Sequence, residues 1–211
     1  KSQYSAKALE ANLKRTEALA EIIQLLENDD AIEKLMLRIL RTVGSFLDLS
    51  TAALCRRTKQ RDEIDILSHW CNQKEVWGLE ADAAQKKPFF IKDDDKAFIL
   101  SDSSGLKKEE REELETFGIH ALVVIPIMIL GKVDMYGVFT EKREDRIWQK
   151  EEIKFLADAM KILQSILTRR IQKNSLAGSY ACLETILDNV GGAVYVRDFE
   201  TGNSLFTNRN M

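Results

Sequence analysis

Cysteine is scarce in this sequence. Cys55, Cys71 and Cys182 are its three, odd in number and far apart among 211 residues. No CxxC pair and no Cys/His ligand spacing exists, so neither a disulfide framework nor a zinc site is indicated. That scarcity fits a reducing, cytoplasmic setting. Histidine is rarer still, with only His69 and His120. There is no excess of positive charge. The formal net charge is -3, which leaves no basic footprint for nucleic acid. No signal-peptide pattern and no spanning segment is legible. The apolar run ALVVIPIMIL, Ala121 to Leu130, has ten residues. A membrane helix needs about 20, and Gly131-Lys132 stops the run well short of that. The chain begins at Lys1 rather than Met and so reads as an internal fragment.

What is present is ordinary for a soluble protein with one full domain and some extra: 45% hydrophobic and 31% charged residues. The apolar run is rich in β-branched side chains, which suits a strand buried on both faces. VDMYGVFT, Val133 to Thr140, reads as a second strand. Leu130-Gly131-Lys132 is the turn between them, with Gly supplying a backbone conformation that other residues resist. Pro126 cannot donate to the ladder, so a bulge or a missing neighbour bond is expected there.

Helical periods bracket this hairpin. From Tyr4 to Glu27, Leu9, Leu13, Thr16, Ala20 and Ile23 recur at 4-3-4-3, a coiled-coil-like stripe. Asp30 followed by Glu33 predicts a capping box for a second helix carrying Ile32, Leu35, Met36, Ile39, Leu40 and Val43. The period then changes to two. TAALCRR (Thr51 to Arg57) and EIDILSHWCN (Glu63 to Asn72) read as strands. Val76 to Asp95 is irregular, Ala97 to Leu100 is a short strand, and Lys107 to Phe117 is a charged helix. After the hairpin, a helix begins near Lys150 with Ile153, Leu156, Met160, Leu163 and Leu167 at 3-4-3-4. Its stripe falters at Asn174 to Gly178 and resumes in a shifted phase, a change that alters coiled-coil winding. AVYVRDFETGNSLFTN is a second hairpin.

FGIHALVVIPI followed by GKVDMYGVFTEKREDRIWQKEEIKFLADA resembles a GAF domain. The shared pattern is a Gly-Ile pair, an apolar strand holding a Pro, a Gly turn, a strand with a Gly, an R-x-W run and an acidic helix. TAALCRR and the Trp70-Cys71 pair also match. The tail, ETILDNVGGAVYVRDFETGNSLFTNRNM, resembles the opening of a PAS domain, with Asp198, Thr201, Gly202 and Asn208 at that family's places. The resemblance implies an α+β fold: a six-stranded antiparallel sheet with helices on both faces, flanked by long N- and C-terminal helices. It divides the chain into a coiled-coil-like helix (1–29), a GAF domain (30–170), a helical linker (171–190) and the truncated start of a PAS domain (191–211).

The GAF resemblance also implies a ligand pocket, flanked by Trp70, Trp77, Phe89, Phe90 and Phe98. An aromatic-lined pocket with few polar groups suits a small molecule; the competing reading is that these rings only fill space. No cofactor is named by the sequence. The Cys-His arrangement of bilin-binding GAF domains is absent, as is the Asn-Lys-x-Phe-Asp-Glu run of cyclic-nucleotide binders. His69 and Cys71 fall on one face of their strand and could form a nucleophile pair, but no third residue orients them. Cys55 and Cys71 in core strands read as inert packing. Asp93-Asp94-Asp95 reads as a solvated loop rather than a cation site. A helix that outruns its domain needs a partner for its stripe. Leu9, Leu13, Ile23, Ile153, Leu156, Met160, Leu163 and Leu167 are therefore the candidate dimer and signalling positions, in a parallel homodimer.

The expected function is a non-catalytic sensory module of a dimeric cytoplasmic signalling protein. It binds a small ligand or dimerises, and relays the signal through its C-terminal helix to PAS and an effector. A diguanylate cyclase (GGDEF) is the preferred effector and a histidine kinase the other. The alternatives are a GAF-like redox enzyme using a cysteine and a ligand-free dimerisation module. No nucleic acid and no membrane partner is expected for this region.

Overall fold

The apolar run forms one of the inner strands of the main sheet. The computed structural model describes residues 2–25, 30–58, 63–72, 85–92, 94–189, 195–197 and 204–207. They fall in two units, 1–166 and 167–211.

In the first unit the helices are α1 (Ser2–Gln24), α2 (Ile32–Phe46), α3 (Lys108–Phe117) and the start of α4 (Lys150–Asn189). The strands are β1 (Thr51–Arg57), β2 (Glu63–Cys71), β3 (Gln85–Lys86), β4 (Phe98–Leu100), β5 (Ala121–Ile129) and β6 (Lys132–Glu141). They form the expected six-stranded sheet, in the order β3-β2-β1-β6-β5-β4 with antiparallel neighbours. β3 lies inside the segment that reads as irregular, because two residues carry no period.

Both faces of the sheet are covered, which is why Ala121 to Ile125 are all buried. Alternation assigns the faces. Ala53, Cys55, Leu122, Val124, Tyr136 and Val138 look toward α3 and join Leu114 in one apolar cluster. Their neighbours Ala52, Leu54, Val123, Ile125, Gly137 and Phe139 look the other way, toward α2 and α4. Two glycines let those helices approach. A Cβ on Gly137 would lie 2.5 Å from Met160 Sδ on α4, and one on Gly44 of α2 would run into the ring of Trp70.

The β5–β6 turn uses Leu130 at φ 50° and Gly131 at φ 81°. Two consecutive left-handed residues match the twist of the hairpin. The irregularity expected at Pro126 falls one step further on, between Ile127 and Met128. Pro126 itself is tolerated for another reason. β4 ends opposite Val124. The Met128 N–H donates to Gln164 Oε1 on α4 at 3.3 Å instead of to a strand. Alternation sends the Pro126 nitrogen to that same unpaired side, so no ladder bond is lost.

Helix starts are set by side chains in two cases. The Lys107 N–H donates to Glu110 at 3.0 Å, and the Gln149 N–H donates to Glu152 at 2.9 Å. The box expected from Asp30 and Glu33 does not form. The N-cap of α2 is Ala31, without a side-chain cap, so Glu33 stands one position too early to reach back. Asp30 instead lies 3.6 Å from Arg38 Nη1.

The two stripes have different fates. On α4, Leu156, Met160 and Leu163 are buried against their own sheet, with Ile153 and Leu167 half-buried. The expectation that this stripe faces a second chain is therefore corrected: within Ile153 to Leu163 it covers the sheet. Ile22 of α1 and Leu25 just after it are buried, whereas Leu9, Leu13 and Ile23 of α1 are exposed.

In the second unit α4 continues without a break through Asn174 to Gly178, and residues 171–179 are exposed. The faltering stripe does not interrupt the helix. β7 (Tyr195–Arg197) and β8 (Ser204–Thr207) form an antiparallel hairpin, as expected, with Tyr195 opposite Thr207. Asp198, Thr201, Gly202 and Asn208 lie outside the described residues.

Candidate functional site

The aromatic side of the sheet is built from a loop, a short strand and α3. Phe89 meets Phe90 edge-on at 5.5 Å and Phe98 at 6.1 Å between ring centroids. The Phe89 N–H donates to Glu113 of α3 at 3.2 Å, which pins the loop. Lys92 Nζ stands 5.5 Å from the Phe98 ring, within cation–π range. Phe90 is 1% exposed and packs in the cluster with Tyr136 on β6, while Phe89 and Phe98 are half-buried at its edge. Tyr136 is the ring that the sequence reading missed. Strand alternation with Val138 was the signal for it.

Of the five expected pocket residues, the structure brings three together. Trp70 does not belong with them. It pairs with Ala52, on the opposite face from Ala53, and its ring seats against Gly44 of α2. A residue flanked by two pocket-facing neighbours on a strand points away from the pocket. Trp77 lies outside the described residues.

Cys55 and Cys71 are poorly placed for chemistry. Cys55 is fully buried, and desolvation pushes its thiol up to about 12. A thiol in that state is not a nucleophile at neutral pH. Cys71 is half-buried and accepts a hydrogen bond from the Thr51 hydroxyl at 3.9 Å. His69 falls on the same face as Cys71 two residues away, as expected, the two lying opposite Ala53 and Thr51 of β1, but its side chain is exposed. Asp94 accepts the Lys96 N–H at 3.2 Å, a loop-closing role. Among the described residues no group of three His, Cys, Asp or Glu could hold a metal ion. No described helix is long and apolar enough to cross a membrane.

Two polar clusters tie the chain after α2 to its neighbours, one at the end of β6 and one at the start of α4. The Glu141 carboxylate is buried and accepts hydrogen bonds from Ser50 and from Arg143, whose Nη2 lies at 2.7 Å. Arg143 also reaches Asp48 Oδ2 at 3.0 Å. Burial alone would raise the Glu141 carboxyl, but these donors outweigh it and hold it below the usual range. The R-x-W run supplies the second cluster. Arg146 stacks on Trp148 at 4.9 Å, pairs with Glu152 at 2.9 Å and donates to the Leu47 carbonyl at 3.5 Å. It therefore joins the end of α2 to the start of α4.

On the helix-covered face lies a cleft of about 570 Å³ between α1, α2 and α4. Phe46 and Phe155 form its floor, with ring centroids 4.6 Å apart. Arg15, Asp48 and Glu151 stand on its rim. Sequence reading gave no sign of it, because its walls come from three helices distant along the chain.

Residues 31–164 match the model of the GAF domain. No protein with a curated description matched. Among solved structures, the phycoerythrobilin-bound GAF domain from a cyanobacterial phytochrome is similar at a TM-score of 0.66. That similarity comes with 10% identity, over 76% of this chain and 97% of that one. The GAF domain of a phosphoenolpyruvate-protein phosphotransferase from Coxiella burnetii is similar at 0.60 with 18% identity, over 77% and 98%. Its counterpart from Acinetobacter is similar at 0.56 with 10% identity, over 73% and 92%. At such identities these structures speak for the fold alone. Together with the sheet order and the two-sided core, the match over 31–164 shows that this chain belongs to the GAF domain family.

Proposed function

We propose that this chain is a non-catalytic sensory module of a dimeric signalling protein, and that α4 carries its state to a following PAS domain and an effector. The observation that supports this most is the course of α4. One helix of 40 residues begins in the core of the first unit and ends in the second. Along β6, Tyr136 and Val138 belong to the aromatic cluster, while Gly137 between them lies against Met160 of α4. A ligand that displaces β6 from the Phe89, Phe90 and Phe98 side thus presses directly on α4. The β7–β8 hairpin, with its PAS-like sequence, is consistent with a PAS domain as the receiver. A diguanylate cyclase is the preferred output, by analogy with the arrangement of such sensors.

The relay is tested by inserting two alanines after Lys173 in the full-length protein and measuring cyclic-di-GMP synthesis. Two residues rotate the downstream helix by about 200°. Output that collapses or becomes constitutive supports the relay; unchanged output overturns it.

A second reading is a ligand-free module. Phe90 and Tyr136, each 1% exposed, fill the aromatic side closely. The similarity to a bilin-bound domain does not extend to covalent attachment at Cys55, whose thiol is buried and protonated. Incubation with phycoerythrobilin is therefore expected to leave no adduct at Cys55, read by peptide mass spectrometry.

A further inference from the structure

We infer that the cleft between α1, α2 and α4 binds a small organic cation with an apolar body, of the arylalkylammonium class. This goes beyond the proposed function. The cleft lies on the helix-covered face of the sheet, away from Phe89, Phe90 and Phe98, and its occupation needs neither a dimer nor an effector.

Shape and an aromatic platform come first. At about 570 Å³ the cleft falls in the range of small-molecule sites. α1 presents Ala11 to it, a side chain too short to close the gap to α2 and α4. Phe46 of α2 lines the cleft and is half-buried, so part of its ring is open to a ligand. Phe155 of α4 is 0% exposed and backs that ring, with centroids 4.6 Å apart. The platform is thus held in place before anything binds, which lowers the cost of binding. The face of such a ring attracts a cation.

Charge then selects the cation. The lining carries three carboxylates, Asp48, Glu151 and Glu152, against one guanidinium, Arg15. Arg15 is engaged already, 3.5 Å from Asp158 of α4, and so offers little to an anion. Two of the carboxylates are engaged as well. Asp48 lies 3.0 Å from Arg143, and Glu152 lies 2.9 Å from Arg146. Glu152 also accepts the Gln149 N–H at 2.9 Å, which offsets the positive end of α4. The Glu151 carboxylate is exposed in the first turn of α4 and has no ion pair or hydrogen bond among the described residues. One unmatched carboxylate beside an aromatic platform is complementary to one ammonium on an apolar body. The body lies on Phe46 and the ammonium reaches Glu151. The side-chain oxygen of Asn12, on the α1 wall, is a second acceptor for it. Such a molecule touches α1, α2 and α4 at once.

The test is a titration of this chain, isotope-labelled and followed by its amide NMR shifts, with three probes at constant ionic strength: phenethylammonium, phenethyl alcohol and hydrocinnamate. The ammonium is expected to move the amides of Asn12, Asp48 and Glu151 saturably, with a Kd of about 10 mM or tighter for so small a probe. The alcohol is expected to bind about tenfold more weakly, since an exposed ion pair and an exposed cation–π contact each contribute up to about fivefold. The carboxylate is expected to bind more weakly still. Glu151→Gln is expected to weaken the ammonium about threefold and leave the alcohol unchanged. Glu109→Gln, at an exposed position of α3, is the control and is expected to change neither. Ala11→Phe, at an exposed position of α1, is expected to fill the cleft and abolish binding with an unchanged circular dichroism spectrum. No saturable shift with the ammonium, or binding that survives Ala11→Phe, overturns the site. Equal affinity for the three probes overturns the cation. Shifts of the cleft amides on dilution alone would put a second copy there and overturn the small ligand. Shifts at Phe89, Phe90 and Phe98 instead would overturn this site while supporting a ligand on the other side of the sheet.

Discussion

Met160 of α4 occupies the space that a side chain on Gly137 of β6 would need, with Sδ 2.5 Å from the position of the missing Cβ. The strand and the helix therefore touch backbone to side chain, with nothing between them. Gly137→Ala is expected to cost about 1–3 kcal/mol, the usual range for overpacking a core. Urea denaturation measures it. Met160 is flexible, so pairing Gly137→Ala with Met160→Ala is expected to cost less than the sum of the single changes. Strict additivity would mean that the two positions are not in contact.

Glu141 links stability to pH. Its donors hold the carboxyl below the unfolded value, despite burial acting the other way. The unfolded chain therefore binds a proton first as pH falls. The stabilisation is fully present above the unfolded carboxylate pKa of about 4.3 and is lost as pH falls through the lower folded value. The urea midpoint is expected to drop on acidification across that window, and to drop less steeply in Glu141→Gln. Equal slopes in the two proteins would show that Glu141 is not a source of the acid sensitivity.

The two core-strand cysteines are expected to separate by reactivity. With iodoacetamide at mildly alkaline pH, native Cys71 labels slowly, held back by partial burial and its bond to Thr51. Cys55, buried and pushed up to about 12, labels only after unfolding. Peptide mass spectrometry reads each site. Rapid native labelling of Cys55 would contradict its burial and revive a redox role for it.

The hairpin was legible because two signals agreed there: an unbroken apolar run and a Gly turn between two strands. Other features were legible only in part. The 3-4 stripe of α4 is real, yet the same period serves a helix lying on a sheet and a helix lying on another helix. Only the position of Gly137 on β6 tells which. Trp70 groups with the phenylalanines by its chemistry, although its parity with Ala52 places it on the other face. Phe89 and Phe90 sit in a loop, where no period reports direction. The Phe46–Phe155 floor of the helix-side cleft depends on the crossing of α2 and α4, which neither segment encodes alone. At α2 the capping pattern is present in sequence, but the helix starts one residue later than the pattern requires.

The hydrogen bond from Met128 to Gln164 gives α4 a mechanical index mark. Apolar contacts with the sheet vary smoothly as a helix slides, so they resist small displacements weakly. A hydrogen bond at 3.3 Å does not vary smoothly. A slide of about 2 Å along β5 carries it out of range. Met128 is exposed, so water takes the place of the lost acceptor at little cost. The contact therefore acts as a shallow catch: it defines one seated position of the helix, releases under modest load, and re-engages when the helix returns.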